Sequence, residues 1–253
     1  EKLDFGERKA YVKKTDVDYY TDAIDYTKIT ILDIFDKKGL EGGMGRVSHG
    51  EVHVATQVVG FKKIKFHTME NVGAGDLQLP QNEMHTTAYW LTVPSALMQA
   101  IPYPAEQRVN GLFGLAYLIH HVSPLFMMCD LHDVGVSIGD NTSGEPVKPL
   151  ATQARPAGQG QDEMPVVMDP DFEPNIFIYD NYPGGIGLSP SLFALESRLL
   201  DHALKTLEAC PCRDGCPSCV GATNESGKDA KKVAREILRG LLGLESPRSP
   251  LVN

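Results

Sequence analysis

Four of the five cysteines in this 253-residue chain fall within ten residues: Cys210, Cys212, Cys216 and Cys219, in the order Cys-Pro-Cys-Arg-Asp-Gly-Cys-Pro-Ser-Cys. No other feature restricts the fold as strongly. Disulfides staple segments that are distant in sequence, and such frameworks belong to short secreted chains. Thiols spaced C-x-C-x3-C-x2-C instead match one metal ion held between two reverse turns, because tetrahedral zinc takes four thiolates at about 2.3 Å. Pro211 and Pro217 stiffen those turns, and Gly215 permits a backbone angle that other residues avoid. Sulfur at all four positions leaves no place for water, so the expected role of the zinc is structural. The alternatives are an iron–sulfur cluster, although ferredoxin spacings differ from this one, and free thiols. Cys129 stands alone. A tight thiol cluster of this kind fits a reducing compartment, and the cytoplasm is the expected location.

At this length the chain is one large domain or two small ones. With 42% hydrophobic and 23% charged residues it is too apolar for a disordered chain. There are 24 basic and 33 acidic side chains, net −9. A surface of that sign repels a polyanion on average, so any nucleic-acid contact must be local or supplied by other domains. The most apolar segment, Leu112 to Leu131, is broken by His120, His121, Ser123 and Pro124, and no membrane-spanning helix is expected. The chain opens at Glu1 with neither initiator methionine nor signal-peptide pattern, and is expected to be a piece of a longer polypeptide.

Three regions are expected: a β-rich subdomain over 1–70, an α+β region over 71–245 that carries the cysteines, and a flexible tail over 246–253. In the first, Tyr11-Val12, Val17, Tyr19-Tyr20, Ile29 to Ile34 and Val52 to Val59 are β-branched and aromatic runs, with a loop at Gly39 to Gly45. Gly50 to Phe66 suits either one bent strand or a hairpin around Gly60. Helices are expected from Pro94 to Ala100 and from Glu106 to His121, and a long surface loop from Asp140 to Asp171. A short buried strand, Asn175 to Tyr179, leads through Pro183-Gly184-Gly185-Ile186-Gly187 into a helix capped by Ser189 with Pro190 at its first turn. Leu192, Leu195, Leu199, Ala203 and Leu207 form one apolar stripe on that helix. A last helix, Lys228 to Leu242, turns Ala230, Val233, Ala234, Ile237, Leu238 and Leu241 inward. The fold class is therefore α+β: a small β-barrel-like N-terminal part, then helices and a short strand around a four-cysteine zinc knuckle.

Other signals are weaker. Gly221 to Asp229 approaches a phosphate loop, but five residues separate the glycines where four are needed, and Asp229 follows Lys228 where a hydroxyl should stand. An ATP site is rejected there, no other segment supplies one, and this chain is not expected to be an enzyme. The glycine loop at Gly184 to Gly187 could cradle an anion at a helix N-terminus, yet a tight strand-to-helix turn accounts for it equally simply. His120, His121, Cys129, Asp130, His132 and Asp133 form a polar cluster without zincin spacing, and half-buried histidines at a helix end explain it better than a catalytic centre. Lys228, Lys231, Lys232 and Arg235, with Arg239, give the last helix a basic face that is either merely solvated or tracks phosphates.

Together these residues are familiar. Tyr179-Asp180 through Gly187, the helix after it, and the cysteine knuckle with its trailing Val220-Gly221 resemble the zinc-binding C-terminal (MZB) domain of MrfA-type helicases. Asp16-Val17-Asp18-Tyr19-Tyr20-Thr21 and Cys129-Asp130 to Gly135 resemble other parts of the same region. The resemblance implies zinc on Cys210, Cys212, Cys216 and Cys219. It also implies a parent that is a superfamily 2 DNA-repair helicase, moving 3′ to 5′ on single-stranded DNA with ATP. This chain would then be an accessory domain that caps or guides DNA. Related domains in phage-defence proteins imply the rival reading, a module that tethers a protein partner and never touches DNA.

Overall fold

Long runs of β-branched and aromatic residues form the main sheet. The computed structural model describes residues 2–4, 6–141, 145–147, 168–222 and 227–244. The expected tail over 246–253 and most of the expected loop over 140–171 lie outside the described residues. The strands are β1 (Lys2–Asp4), β2 (Lys9–Tyr11), β3 (Tyr19–Gly39), β4 (Arg46–Lys65), β5 (Asn71–Asp76), β6 (Asn82–Thr92), β7 (Val134–Asp140) and β8 (Pro174–Asp180). The helices are α1 (Ser95–Ala100), α2 (Ala105–Met127), α3 (Leu188–Ala194), α4 (Glu196–Ala209) and α5 (Ala230–Leu241), with a 3-10 turn at Leu131–Asp133.

The chain forms two compact units, Glu1–Tyr26 with Gln57–Gln81, and Thr27–Thr56 with Asn82–Asn253. In the first unit β1 and β2 form a hairpin, and the far half of β4 pairs antiparallel with β5 from Gly60–Asp76 to Ile64–Asn71. Gly60 lies inside this continuous strand, so the segment from Gly50 is one long strand and not a hairpin.

In the second unit the strand order is β3-β4-β6-β8-β7. Successive side chains of a strand point to opposite faces, and here both faces are covered. Val47, Tyr89, Leu91, Ile176 and Ile178 pack into the main core against the helices. Val52, Val54, Ala88, Trp90, Phe177 and Tyr179 form a second core with Ile29 on the other face. That second core sits inside a curled sheet. Its two edge strands approach where Ser137 Oγ donates to the Thr27 carbonyl at 2.9 Å and Lys28 Nζ meets Glu145 Oε1 at 2.7 Å. The α+β class with a barrel-like sheet is thus the architecture found. β6 and β7 come without a sequence expectation. Residues 88–91 are buried one after another, which removes the alternation that marks a strand with one wet face.

Helix α5 turns Ala230, Val233, Ala234, Ile237, Leu238 and Leu241 into the main core, as its apolar period predicts. It lies across α2 at two glycines. A Cβ on Gly111 would stand 2.4 Å from Val233 Cγ1, and one on Gly114 would stand 3.0 Å from Val220 Cβ. Gly111→Leu therefore pries α5 from α2. Overpacking of this kind costs about 1–3 kcal/mol, a fall of about 2–4 °C in Tm per kcal/mol at this chain length. A thermal melt equal to that of the unmodified chain would contradict the tight crossing.

The stripe from Leu192 to Leu207 is not one helix. It is broken at Leu195, where φ is −103° and ψ is 9°, into α3 and α4. Just after the break, the Nζ of the exposed Lys38 pairs with Glu196 Oε2 at 2.7 Å. A straight helix offers no such partner to a carboxylate that is 7% exposed. Ser189 is also not the cap. The helix starts at Leu188 after Gly187, and the Ser189 hydroxyl is buried without a hydrogen-bond partner.

Candidate metal centre

Helix α4 delivers the knuckle. Its last hydrogen bond runs from the Cys210 N–H to the Thr206 carbonyl at 3.1 Å, after which Cys210 adopts extended backbone and the chain turns back on itself. Gly215 holds φ at 147°, a value L residues rarely adopt, between the two cysteine pairs. The second turn closes with the Cys219 N–H on the Cys216 carbonyl at 2.9 Å. Cys219 is buried and the other three cysteines are half-buried.

The four sulfurs converge. Cys210 Sγ lies 3.5 Å from both Cys212 Sγ and Cys216 Sγ, Cys212 Sγ lies 3.4 Å from Cys219 Sγ, and Cys216 Sγ lies 3.7 Å from Cys219 Sγ. All four ligand atoms fall within 4.8 Å of one another. A tetrahedron with bonds of about 2.3 Å has edges of about 3.8 Å, so the observed spacings fit thiolates sharing one ion. An iron–sulfur cube places each thiolate on a different iron and needs wider spacing. The thiols are held unequally: burial pushes Cys219 up to about 12, whereas the backbone N–H of Ser218 draws Cys216 down to about 7. A dication at the centre is what allows four thiolates to coexist, with release of their protons on binding.

Two helices grip the knuckle from outside. Lys231 Nζ, in the first turn of α5, donates to the carbonyls of Cys210 and Cys212, each at 2.6 Å. Tyr117, on α2, donates its hydroxyl to the Pro217 carbonyl at 2.8 Å and stacks on His121 with centroids 3.8 Å apart. Of the other basic residues expected on α5, Lys228 is exposed, Lys232 Nζ pairs with Asp229 Oδ1 at 2.6 Å, and Arg235 has Glu236 at 3.7 Å. Arg239 pairs with Glu208 at 3.0 Å.

The remaining candidates resolve into structural roles. In the glycine loop, the group held at the start of α3 is the protein's own carboxylate. Asp180 Oδ2 accepts from the N–H groups of Ile186, Gly187 and Leu188 at 2.7, 2.9 and 3.2 Å, and Asp180 is 1% exposed. A free anion has no room there. The sequence signal was an acidic residue closing the apolar run Ile176 to Tyr179 just before a glycine loop. His120 and His121 meet edge to face with ring centroids 5.4 Å apart, but each histidine is engaged separately: His120 contacts the Val134 carbonyl, His121 the Tyr117 carbonyl, and His132 the side chain of Asp130. Burial lowers the pKa of His120, which suits a neutral ring held against a carbonyl. Among the described residues, the four cysteines are the one group of three or more metal-ligating side chains close enough to share an ion.

A closed four-thiolate knuckle, gripped by two helices on one face of an antiparallel sheet, defines a domain built around a structural metal ion. Comparison with known families agrees. A family model described as the MrfA Zn-binding domain (MZB) matches residues 115–220, a span that includes all four cysteines. The chain is 36% identical over 233 residues to the uncharacterized ATP-dependent helicase YprA of Bacillus subtilis, a match that covers 92% of this chain and 27% of that protein. It is 24% identical over 243 residues to the ATP-dependent helicase HRQ1 of Saccharomyces cerevisiae, covering 94% of this chain and 21% of that one. Among solved structures it resembles the DUF1998 helicase MrfA bound to DNA, with a TM-score of 0.56 and 32% identity, over 95% of this chain and 28% of the other. The chain thus spans about a quarter of the length of the curated relatives it matches.

Proposed function

We propose that this chain is the helicase-associated segment of an ATP-dependent DNA helicase acting in DNA repair in the cytoplasm, and that it caps or guides DNA at the motor. The observation that carries this reading is likeness along nearly the whole chain to ATP-dependent helicases, one of them solved with DNA bound. Cys210, Cys212, Cys216 and Cys219 hold zinc as a structural ion. ATP hydrolysis belongs to the parent polypeptide outside this segment. Among the described residues, no helix is long and apolar enough to cross a membrane.

On the last helix, Lys231 is held by the knuckle and Lys232 by Asp229 at 2.6 Å, whereas Lys228 is exposed and Arg235 meets Glu236 only at 3.7 Å, so Lys228 and Arg235 are the cations most readily offered to a phosphate backbone. In the full-length parent, Lys228→Gln with Arg235→Gln removes two contacts. Each contact on a single strand contributes about 0.7 to the slope of log affinity against log salt, so the slope falls by about 1.4. Unwinding falls with it while ATP hydrolysis continues. If slope and unwinding both stay unchanged, DNA does not run along this helix. The protein-tether reading then gains, since a net charge of −9 already favours a protein partner over a polyanion.

A further inference from the structure

Lys231 stands apart from the rest of the basic face. It is the second residue of α5, so its backbone N–H has no partner within the helix. That N–H instead donates to the Asp214 carbonyl at 3.3 Å, in the middle of the knuckle. Its ammonium donates to the Cys210 and Cys212 carbonyls, both at 2.6 Å. One residue therefore holds three successive points of the first turn, main chain and side chain together. An ammonium has three donors and no acceptor, and here two of them are spent on the knuckle carbonyls. Cation–carbonyl bonds of this length are among the stronger hydrogen bonds in proteins.

The charge argument points the same way. Four thiolates around a dication carry a net charge of −2, and nothing in the ligand set offsets it. Lys231 is half-buried and anchored to the same carbonyls that set the direction of the Cys210 and Cys212 side chains. Groups that hydrogen-bond behind metal ligands fix ligand orientation, and their loss typically costs about 10–100-fold in metal affinity.

We propose that Lys231 is a positioning residue of the metal centre, pre-shaping the Cys210–Cys212 turn and balancing the charge of the thiolate site, and that it is not a phosphate contact. This rests on the zinc assignment above. Its consequence is that α5, the helix that follows the knuckle, couples metal retention to its own docking on α2.

The test uses the full chain loaded with zinc, challenged with a chromophoric chelator. Lys231→Gln should weaken zinc binding by about 10–100-fold and speed its release. Lys231→Arg, whose fork can still donate to both carbonyls, should recover much of the loss. Lys205→Gln, on the exposed side of α4, serves as the control for loss of a positive charge alone. Cobalt in place of zinc reads ligand geometry directly: the Gln variant should show a shifted thiolate–cobalt spectrum at saturating metal. Should the Gln variant fail to fold, the same two readings on the Arg variant decide, with affinity and spectrum between those of Lys and a weakened site. Zinc affinity and cobalt spectrum both equal to the unmodified chain in Lys231→Gln would overturn the proposal. So would unchanged metal affinity combined with a shallower salt dependence of DNA binding in the parent. An unmodified chain that takes up no zinc would be a failure of the metal assignment itself, and is read before any variant is made.

Discussion

Cys216→Ser strips the knuckle of its metal and lowers the stability of the second unit more than any other single change to its polar residues. Structural zinc contributes about 10–16 kcal/mol in small zinc peptides, comparable to the whole stability of a typical domain. A serine leaves three thiolates and one poor ligand, so most of that is lost. The structure also says where the damage stops. Val233, Ala234, Ile237, Leu238 and Leu241 of α5 are fully buried in the main core, which is built mostly from aliphatic side chains of the sheet and helices and only at its edge from the cysteines. Hydrogen exchange should therefore rise first across Cys210 to Gly221, the end of α4 and the first turn of α5, with the sheet protected longest. The melting temperature falls by about 10 °C or more, at roughly 2–4 °C per kcal/mol. Elemental analysis of the unmodified chain should give one zinc per chain and little iron. Stoichiometric iron, or an unchanged melt in the serine variant, would each remove the structural-zinc account.

Asp180→Ala has the second largest expected effect. The carboxylate sits at the end of β8, 1% exposed, and takes three backbone N–H donors from the loop that begins α3. Hydrogen bonds to a charged group are worth about 1.5–3 kcal/mol each. Ile186 and Gly187 lie on an exposed loop where water can replace part of that loss. The net cost should be about 3–5 kcal/mol. Asp180→Asn keeps an acceptor but loses the charge, and should cost about half as much. Urea unfolding measures both, and amide exchange at 186–188 locates the defect. A melt for the alanine variant within a degree or two of the parent would mean that the loop holds itself without the carboxylate.

The two cases differ in how far each was readable before any coordinates. The cysteine knuckle was legible because its chemistry is local: ligand identity, ligand spacing, two prolines and one glycine all lie within ten residues. The inward face of α5 was legible for a similar reason, since a strong 3.6-residue period needs only its own twelve residues to declare itself. The glycine loop was half legible. Its shape as an anion cradle was visible, but whether an outside phosphate or the chain's own Asp180 filled it depended on where β8 aims that side chain. The basic face of α5 was only half legible for the same reason. Lys228, Lys231, Lys232 and Arg235 are alike in sequence, and only their neighbours in space separate a clamp on the knuckle from an exposed cation.

What the sequence determined by itself, then, was chemistry carried by short spans: a closed four-sulfur metal site, a β-rich start and an amphipathic last helix. Tertiary structure alone decided what joins distant parts. Ser137 and Thr27, 110 positions apart, bring the sheet edges together; β6 completes the sheet from a segment with no alternating pattern, and β7, whose Val134, Val136 and Ile138 do alternate with Gly and Ser, takes its place beside β8 only in the fold. The break at Leu195 sets Glu196 beside Lys38, 158 positions away. A periodic pattern records which face of an element is buried and says nothing about which other element covers it. That partner is chosen by packing across the whole unit, where two buried faces erase the very alternation a reader of the sequence depends on.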